Sequence, residues 1–295
     1  MPGSKRKVAI AYDFDGTLAP GNMQEYNFIP DLKMDTAGFW SEANRLARQQ
    51  DMDEVLAYLH LMLIKAREKK IPVKESTFME YGKKISFFPG VTAYFGLINR
   101  YGNSRNLDIE HYIISSGIRE MIKGTAIAKE FRNIFASGYQ YDENGEACWP
   151  ALAVNYTNKT QFLFRINKGI NNSYDNTVIN KIVPEDEKPI PFSNMIYIGD
   201  GETDIPAMKM VNLQGGYSIA VFNPSYLNQN AGPKEEISLD ILMNNRANYL
   251  VPADFRPGTL LFSLLTNILD RMASEQNLYE IKEKALSQLK RVSKI

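Results

Sequence analysis

One cysteine, Cys148, stands in 295 residues. That excludes an intrachain disulfide and any zinc site built on several thiolates, and it is what a reducing compartment permits. Histidine is nearly as scarce: with only His60 and His111, a histidine-rich metal centre is excluded and a Ser/His/Asp triad has two bases at most to draw on. An excess of either charge is also missing, because 34 Lys and Arg balance 34 Asp and Glu, so no strongly basic surface for nucleic acid is expected. Long apolar runs are lacking too. The N-terminal one, Val8–Tyr12, stops at an acid and is shorter than a signal-peptide core or a membrane span. The expectation is a soluble cytoplasmic protein with neither membrane nor nucleic acid as partner and with its oligomeric state open.

What is present suffices for a full core, since a chain of this length buries roughly 75% of its unfolded surface. Four short runs rich in β-branched residues, "VAIAY" (8–12), "HYIIS" (111–115), "MIYIG" (195–199) and "SIAVF" (218–222), read as buried parallel strands, with "NYLV" (248–251) a weaker fifth. Helical patterns lie between them, and that alternation argues an α/β domain with a parallel sheet. From Ala19 to about Phe88 the rhythm breaks. Val55, Leu56, Leu59, Met62, Leu63 and Ala66 follow helical spacing and predict a helical insertion, with a helix starting near Asp51 and Glu54 three residues on as in a capping box. "YDENGEA" (141–147) predicts a hairpin, 171–193 a polar surface excursion, and the last 40 residues an amphipathic helix over the sheet.

Three of the four strands end at polar groups: Asp13 follows the first, Ser115 closes the second and Asp200 follows the third. In an open parallel sheet such residues converge on one crevice beyond the strands' carboxyl ends. Acids gathered there repel one another unless a cation sits among them. Oxygen ligands without a His or Cys cluster select magnesium over zinc, and magnesium calls for a phosphate.

"DFDGT" (13–17) and "GDGETD" (199–204), in that order and each after an apolar strand, resemble the first and fourth motifs of the haloacid dehalogenase (HAD) superfamily, in its phosphatase and phosphotransferase branch. The resemblance covers about Val8 to Val251. It implies a doubly wound, Rossmann-like parallel sheet with a helical cap inserted between the first and second motifs, as in relatives of the phosphoserine phosphatase type: core 1–19 and 88–295, cap 20–87. It also implies that Asp13 is the nucleophile, forming an aspartyl phosphate, and that Asp15 is general acid and then base. Ser115, with Ser116 as rival, matches the second-motif hydroxyl, and Lys159, with Lys168 as rival, the third-motif lysine. Gly16, Thr17, Ser116 and Gly117 would bind substrate, Ser116 and Gly117 through amides at a helix start. Asp13, the carbonyl of Asp15, Asp200 and Asp204 would hold Mg2+. Thr203 stands where many relatives carry asparagine, and the 41 residues from Lys159 to Asp200 are a long spacing for the family. "DFDGT" lacks the serine typical of phosphoserine phosphatase itself. In the insertion, Glu25, Tyr26, Trp40 and Arg45 are candidate substrate readers. The implied activity is magnesium-dependent hydrolysis of a small phosphomonoester metabolite. Phosphotransferase or phosphomutase chemistry on the same intermediate, and a non-catalytic binding module, are the alternatives.

Overall fold

A computed structural model of the chain describes residues 5–225, 244 and 246–292. Arg6–Tyr12 forms β1, whose last five residues are buried, as in a strand covered by helices on both faces. Five helices follow: α1 (Met23–Tyr26), α2 (Phe28–Asp31), α3 (Thr36–Gln50), α4 (Glu54–Lys69) and α5 (Glu75–Gly82). The chain continues through α6 (Val91–Ser104), β2 (Leu107–Ile118), α7 (Arg119–Gly124), β3 (Asn133–Tyr141), β4 (Ala147–Leu152) and α8 (Lys159–Asn167). It ends with β5 (Met195–Gly199), α9 (Ile205–Leu213), β6 (Tyr217–Phe222), β7 (Tyr249–Pro252) and α10 (Leu260–Val292).

The seven strands run β4-β3-β2-β1-β5-β6-β7. Every neighbouring pair is parallel except β3–β4, a hairpin whose turn has Gly145 at φ 72°. Side chains of β1 alternate between two apolar layers: Val8, Ile10 and Tyr12 pack with α6 and α10, while Ala9 and Ala11 face α8 and α9. Strand order reverses at β1, so the crevice opens beyond the carboxyl ends of β1, β2 and β5.

All five expected strands form, and so does the hairpin. β3 lies outside the expectation because its interior, Ala136, Ser137 and Gly138, has little β propensity. Packing sets those residues: a Cβ on Gly138 would lie 2.8 Å from the Arg119 guanidinium. The insertion is helical as read, but the start of α4 is corrected. Its cap is Asp53, whose Oδ1 accepts from the amides of Val55 and Leu56, whereas Asp51 closes α3 in a left-handed conformation. The helix start expected at Ser116 and Gly117 is also corrected. β2 runs on to Ile118 through a register shift after Ser115, and the amides of Gly117 and Ile118 donate to Ser115 Oγ and Met23 Sδ. The excursion at 171–193 is tied down by Arg165, which donates to the carbonyls of Asn172, Ser173 and Asp175. Among the described residues no helix is long and apolar enough to cross a membrane.

Candidate active site

Asp13 is the first residue past β1, and its amide donates to the Ile198 carbonyl of β5 at 2.9 Å, which fixes where its side chain leaves the sheet. The chain then turns back through three amides, of Thr17, Leu18 and Ala19, all donating to Phe14 O. Gly16 is required here twice over. It sits at φ 74°, and a Cβ would fall 2.0 Å from Asp200 Oδ2, so the carboxylate after β5 lies directly against this turn. Asp15 Oδ1 accepts from the Met23 amide at 3.0 Å, so the first residue of α1 holds the second acid of the motif.

Lys159 opens α8 and is fully buried. Its Nζ bridges Asp13 Oδ2 at 2.7 Å and Asp204 Oδ1 at 2.6 Å. Burial alone would push this ammonium down, but Asp13 and Asp204 outweigh it and hold it above its ordinary range. Burial likewise pushes the Asp13 carboxyl up; Lys159 opposes that shift and Asp204 adds to it. Asp15 is pushed well up, first by burial and then by the charge of Asp13. Asp204 accepts four bonds: Oδ1 from Lys159 and from Tyr197 Oη at 2.6 Å, Oδ2 from the amides of Asp200 at 3.2 Å and Gly201 at 3.4 Å. Carboxylate oxygens of Asp13, Asp200 and Asp204 come within 4.8 Å of one another. That all-oxygen donor set, with no histidine or thiol, suits a hard cation such as Mg2+.

Above this floor lies a cavity of about 670 Å³, lined on the insertion side by Gln24, Glu25, Trp40, Asn44, Glu54 and Tyr58, and by Tyr156 from the core. Trp40 Nε1 donates to Glu25 Oε1 at 2.8 Å, and Tyr156 Oη to Glu54 Oε2 at 2.6 Å. The cavity brings together Asp13, Asp15, Gly16, Ser115, Ser116, Gly117 and Asp200. Thr17 is fully buried outside its lining, with Oγ1 unpartnered. Of the two lysines, Lys168 donates to the carbonyls of Ile179 and Lys181, away from Asp13. Of the four candidate readers, Glu25 and Trp40 line the cavity, whereas Tyr26 bonds Pro20 O and Arg45 bonds Gln49. The sequence reading missed Tyr197, Tyr58 and Tyr156. It took Glu54 only as a helix-start residue. The one available signal was a tyrosine two residues before "GD" in a strand otherwise built of Met, Ile and Gly.

Residues 8–216 match the family described as Putative Phosphatase. An uncharacterized protein of Borreliella burgdorferi is 31% identical over 229 residues, 70% of this chain and 78% of that protein. Among solved structures, a HAD family hydrolase of Salmonella enterica serovar Typhi aligns with a TM-score of 0.51 at 17% identity, over 85% of this chain and 68% of that one. A structure described as a probable phosphoserine phosphatase of Vibrio cholerae aligns at 0.55 with 14% identity, over 92% and 67%. At such identities the two structures speak for the fold, and the family match speaks for the activity. Because that match runs from β1 to the glycine before β6, the chain belongs to the Putative Phosphatase family, and its fold is the one shared by the HAD hydrolase and phosphoserine phosphatase structures with which it aligns.

Proposed function

We propose that the chain is a magnesium-dependent phosphatase of small cytoplasmic metabolites working through an aspartyl phosphate on Asp13. The observation that carries this reading is the buried Lys159 held between Asp13 and Asp204 behind a cavity that Asp13 and Asp15 line. The Asp13 carboxylate attacks phosphorus as the bond to the leaving oxygen breaks, and Asp15, whose carboxyl pKa burial pushes well up, gives that oxygen its proton. Asp15 then takes a proton from the water that attacks the aspartyl phosphate, and orthophosphate departs. Lys159 offsets charge on the nucleophile and phosphoryl group, while Gly16, Ser115, Ser116 and Gly117, which line the cavity with Asp13, stand around the phosphoryl oxygens. Asp13, the Asp15 carbonyl and Asp200 would hold Mg2+, which when bound neutralises charge developing on the phosphoryl oxygens, while Asp204, expected as a fourth ligand, already accepts four bonds and would instead anchor Lys159.

Residues 20–87 would serve as the cap over the 1–19 and 88–295 core, excluding water and reading the leaving group. Among the described residues the cavity lining contains Glu25 and Glu54 but no Lys or Arg, which disfavours a leaving group with a second anionic group and favours a neutral or cationic one. A screen for orthophosphate release from aryl and alkyl monophosphates tests the reading. Turnover should disappear with chelator, return with Mg2+, and be undetectable in Asp13→Asn. In Asp15→Asn attack on the aryl ester should persist while attack on the alkyl ester fails, widening the gap between their rates by roughly 10²–10⁴-fold, with aspartyl phosphate trappable on Asp13. Full activity in Asp13→Asn or in excess chelator would overturn it.

A further inference from the structure

Tyr197 sits in the middle of β5, fully buried, where a strand that only packs would carry an aliphatic residue. Its surroundings are shaped to admit a phenol. The residues paired with it on either side are Ala11 of β1 and Ser218 of β6, and Ala9 and Ala220 join the same apolar layer. Small side chains on both neighbouring strands leave room for a large ring between the sheet and α8 and α9. The ring ends at the active site, with its Oη donating to Asp204 Oδ1 at 2.6 Å, the same oxygen that receives Lys159 Nζ.

Removing that donor would change more than one hydrogen bond. The other Asp204 oxygen is held by the Asp200 and Gly201 amides at 3.2 and 3.4 Å, long for N–H···O contacts. The short bonds from Tyr197 and Lys159 therefore fix the rotation of the carboxylate. The phenol also draws charge from Oδ1, which loosens the pull of Asp204 on Lys159 and leaves the ammonium shared with Asp13. We infer that Tyr197 is a positioning residue: through Asp204 it sets where Lys159 stands relative to the Asp13 nucleophile. The role rests on the phosphatase reading above, and it belongs to a residue that touches neither the phosphoryl group nor the leaving group.

The test is a double-mutant cycle of Tyr197→Phe and Asp204→Asn, read by steady-state kinetics on an aryl phosphate and by thermal unfolding without metal or substrate. Tyr197→Phe keeps the ring and should remain folded, with kcat lowered about tenfold and KM within about twofold. In the Asp204→Asn background the same change should lower kcat no further, because the carboxylate it positions is gone. Thermal unfolding should show the two losses to be less than additive. Wild-type kcat in Tyr197→Phe, or kcat losses that multiply, would overturn the inference while leaving the phosphatase reading intact. No turnover by the wild type would overturn both. Should Tyr197→Phe not fold, 3-fluorotyrosine at position 197 keeps both ring and hydroxyl and makes the donor stronger; a shift in kcat of at least twofold is expected, and an unchanged kcat overturns the inference.

Discussion

His111 is buried between β1 and α6, and its ring nitrogens pair with Tyr12 Oη at 2.9 Å and Asn99 Oδ1 at 2.8 Å. The tautomer that satisfies both partners carries its proton on Nε2 and accepts from Tyr12 at Nδ1, so this imidazole is built in neutral. Burial pushes its pKa down to about 3, from 6.5. Between those values the unfolded chain binds a proton here that the folded chain refuses, so the stability His111 contributes is complete above pH 6.5 and is lost as the pH falls toward 3. One proton is worth about 1.4 kcal/mol per pH unit. Urea unfolding of His111→Gln should therefore show lower stability at pH 7 but an acid decline between pH 6 and 4 that is shallower by about that slope. An unchanged slope would place the titration elsewhere. At this scale the convergence of Asp13, Ser115 and Asp200 on one crevice could be anticipated from their places at the ends of apolar strands, whereas Lys159, which carries little signal of its own, followed only from the resemblance. Tyr197 and His111 could not be anticipated, since an amphipathic ring in an apolar run reads as core, and only the third dimension shows where its polar atom ends.

The insertion is joined to the core by contacts of backbone on backbone. A Cβ on Gly82 of α5 would lie 1.9 Å from the Met121 carbonyl of α7, and one on Gly124 would lie 2.0 Å from the Met79 carbonyl. The two helix ends approach reciprocally through glycine. Replacing a helical glycine by alanine normally gains up to about 1 kcal/mol, but here the methyl would strike main chain that cannot swing aside. Gly82→Ala should therefore destabilise by about 1–3 kcal/mol, whereas Gly96→Ala, on an exposed face of α6 with its nearest neighbour the tip of Arg100 at 3.5 Å, should stabilise. Matching gains in both would show that the α5–α7 approach is looser than these distances. A second fastening lies at the start of α4, where Asn155 Nδ2 reaches Asp53 Oδ2 at 2.7 Å beside the Tyr156–Glu54 bond. Asp53 is thus cap and anchor at once. Of the helices in the insertion, α4 was legible from apolar spacing. Their fastenings were not, because glycine and asparagine carry no period.

Across the whole molecule, one apolar cluster runs from Val8 and Ile10 of the sheet through Phe28, Leu59 and Phe78 of the insertion. Thermal unfolding followed by far-ultraviolet circular dichroism and by tyrosine absorbance should therefore give a single coincident transition. Two separated transitions would mean that insertion and core hold their structure independently. That the ends of β1, β2 and β5 meet at one crevice could be anticipated from where the polar residues fall, but the shared cluster depends on how the insertion folds back, which no local pattern records. The chain also contains only two tryptophans. Trp149 is 62% exposed on the edge strand β4, while Trp40 bonds Glu25 inside the cavity. With Trp149→Phe, the protein's tryptophan emission would come from a single indole set in the cavity wall, so arrival and departure of a leaving group become visible as light, on the stopped-flow timescale and without a label.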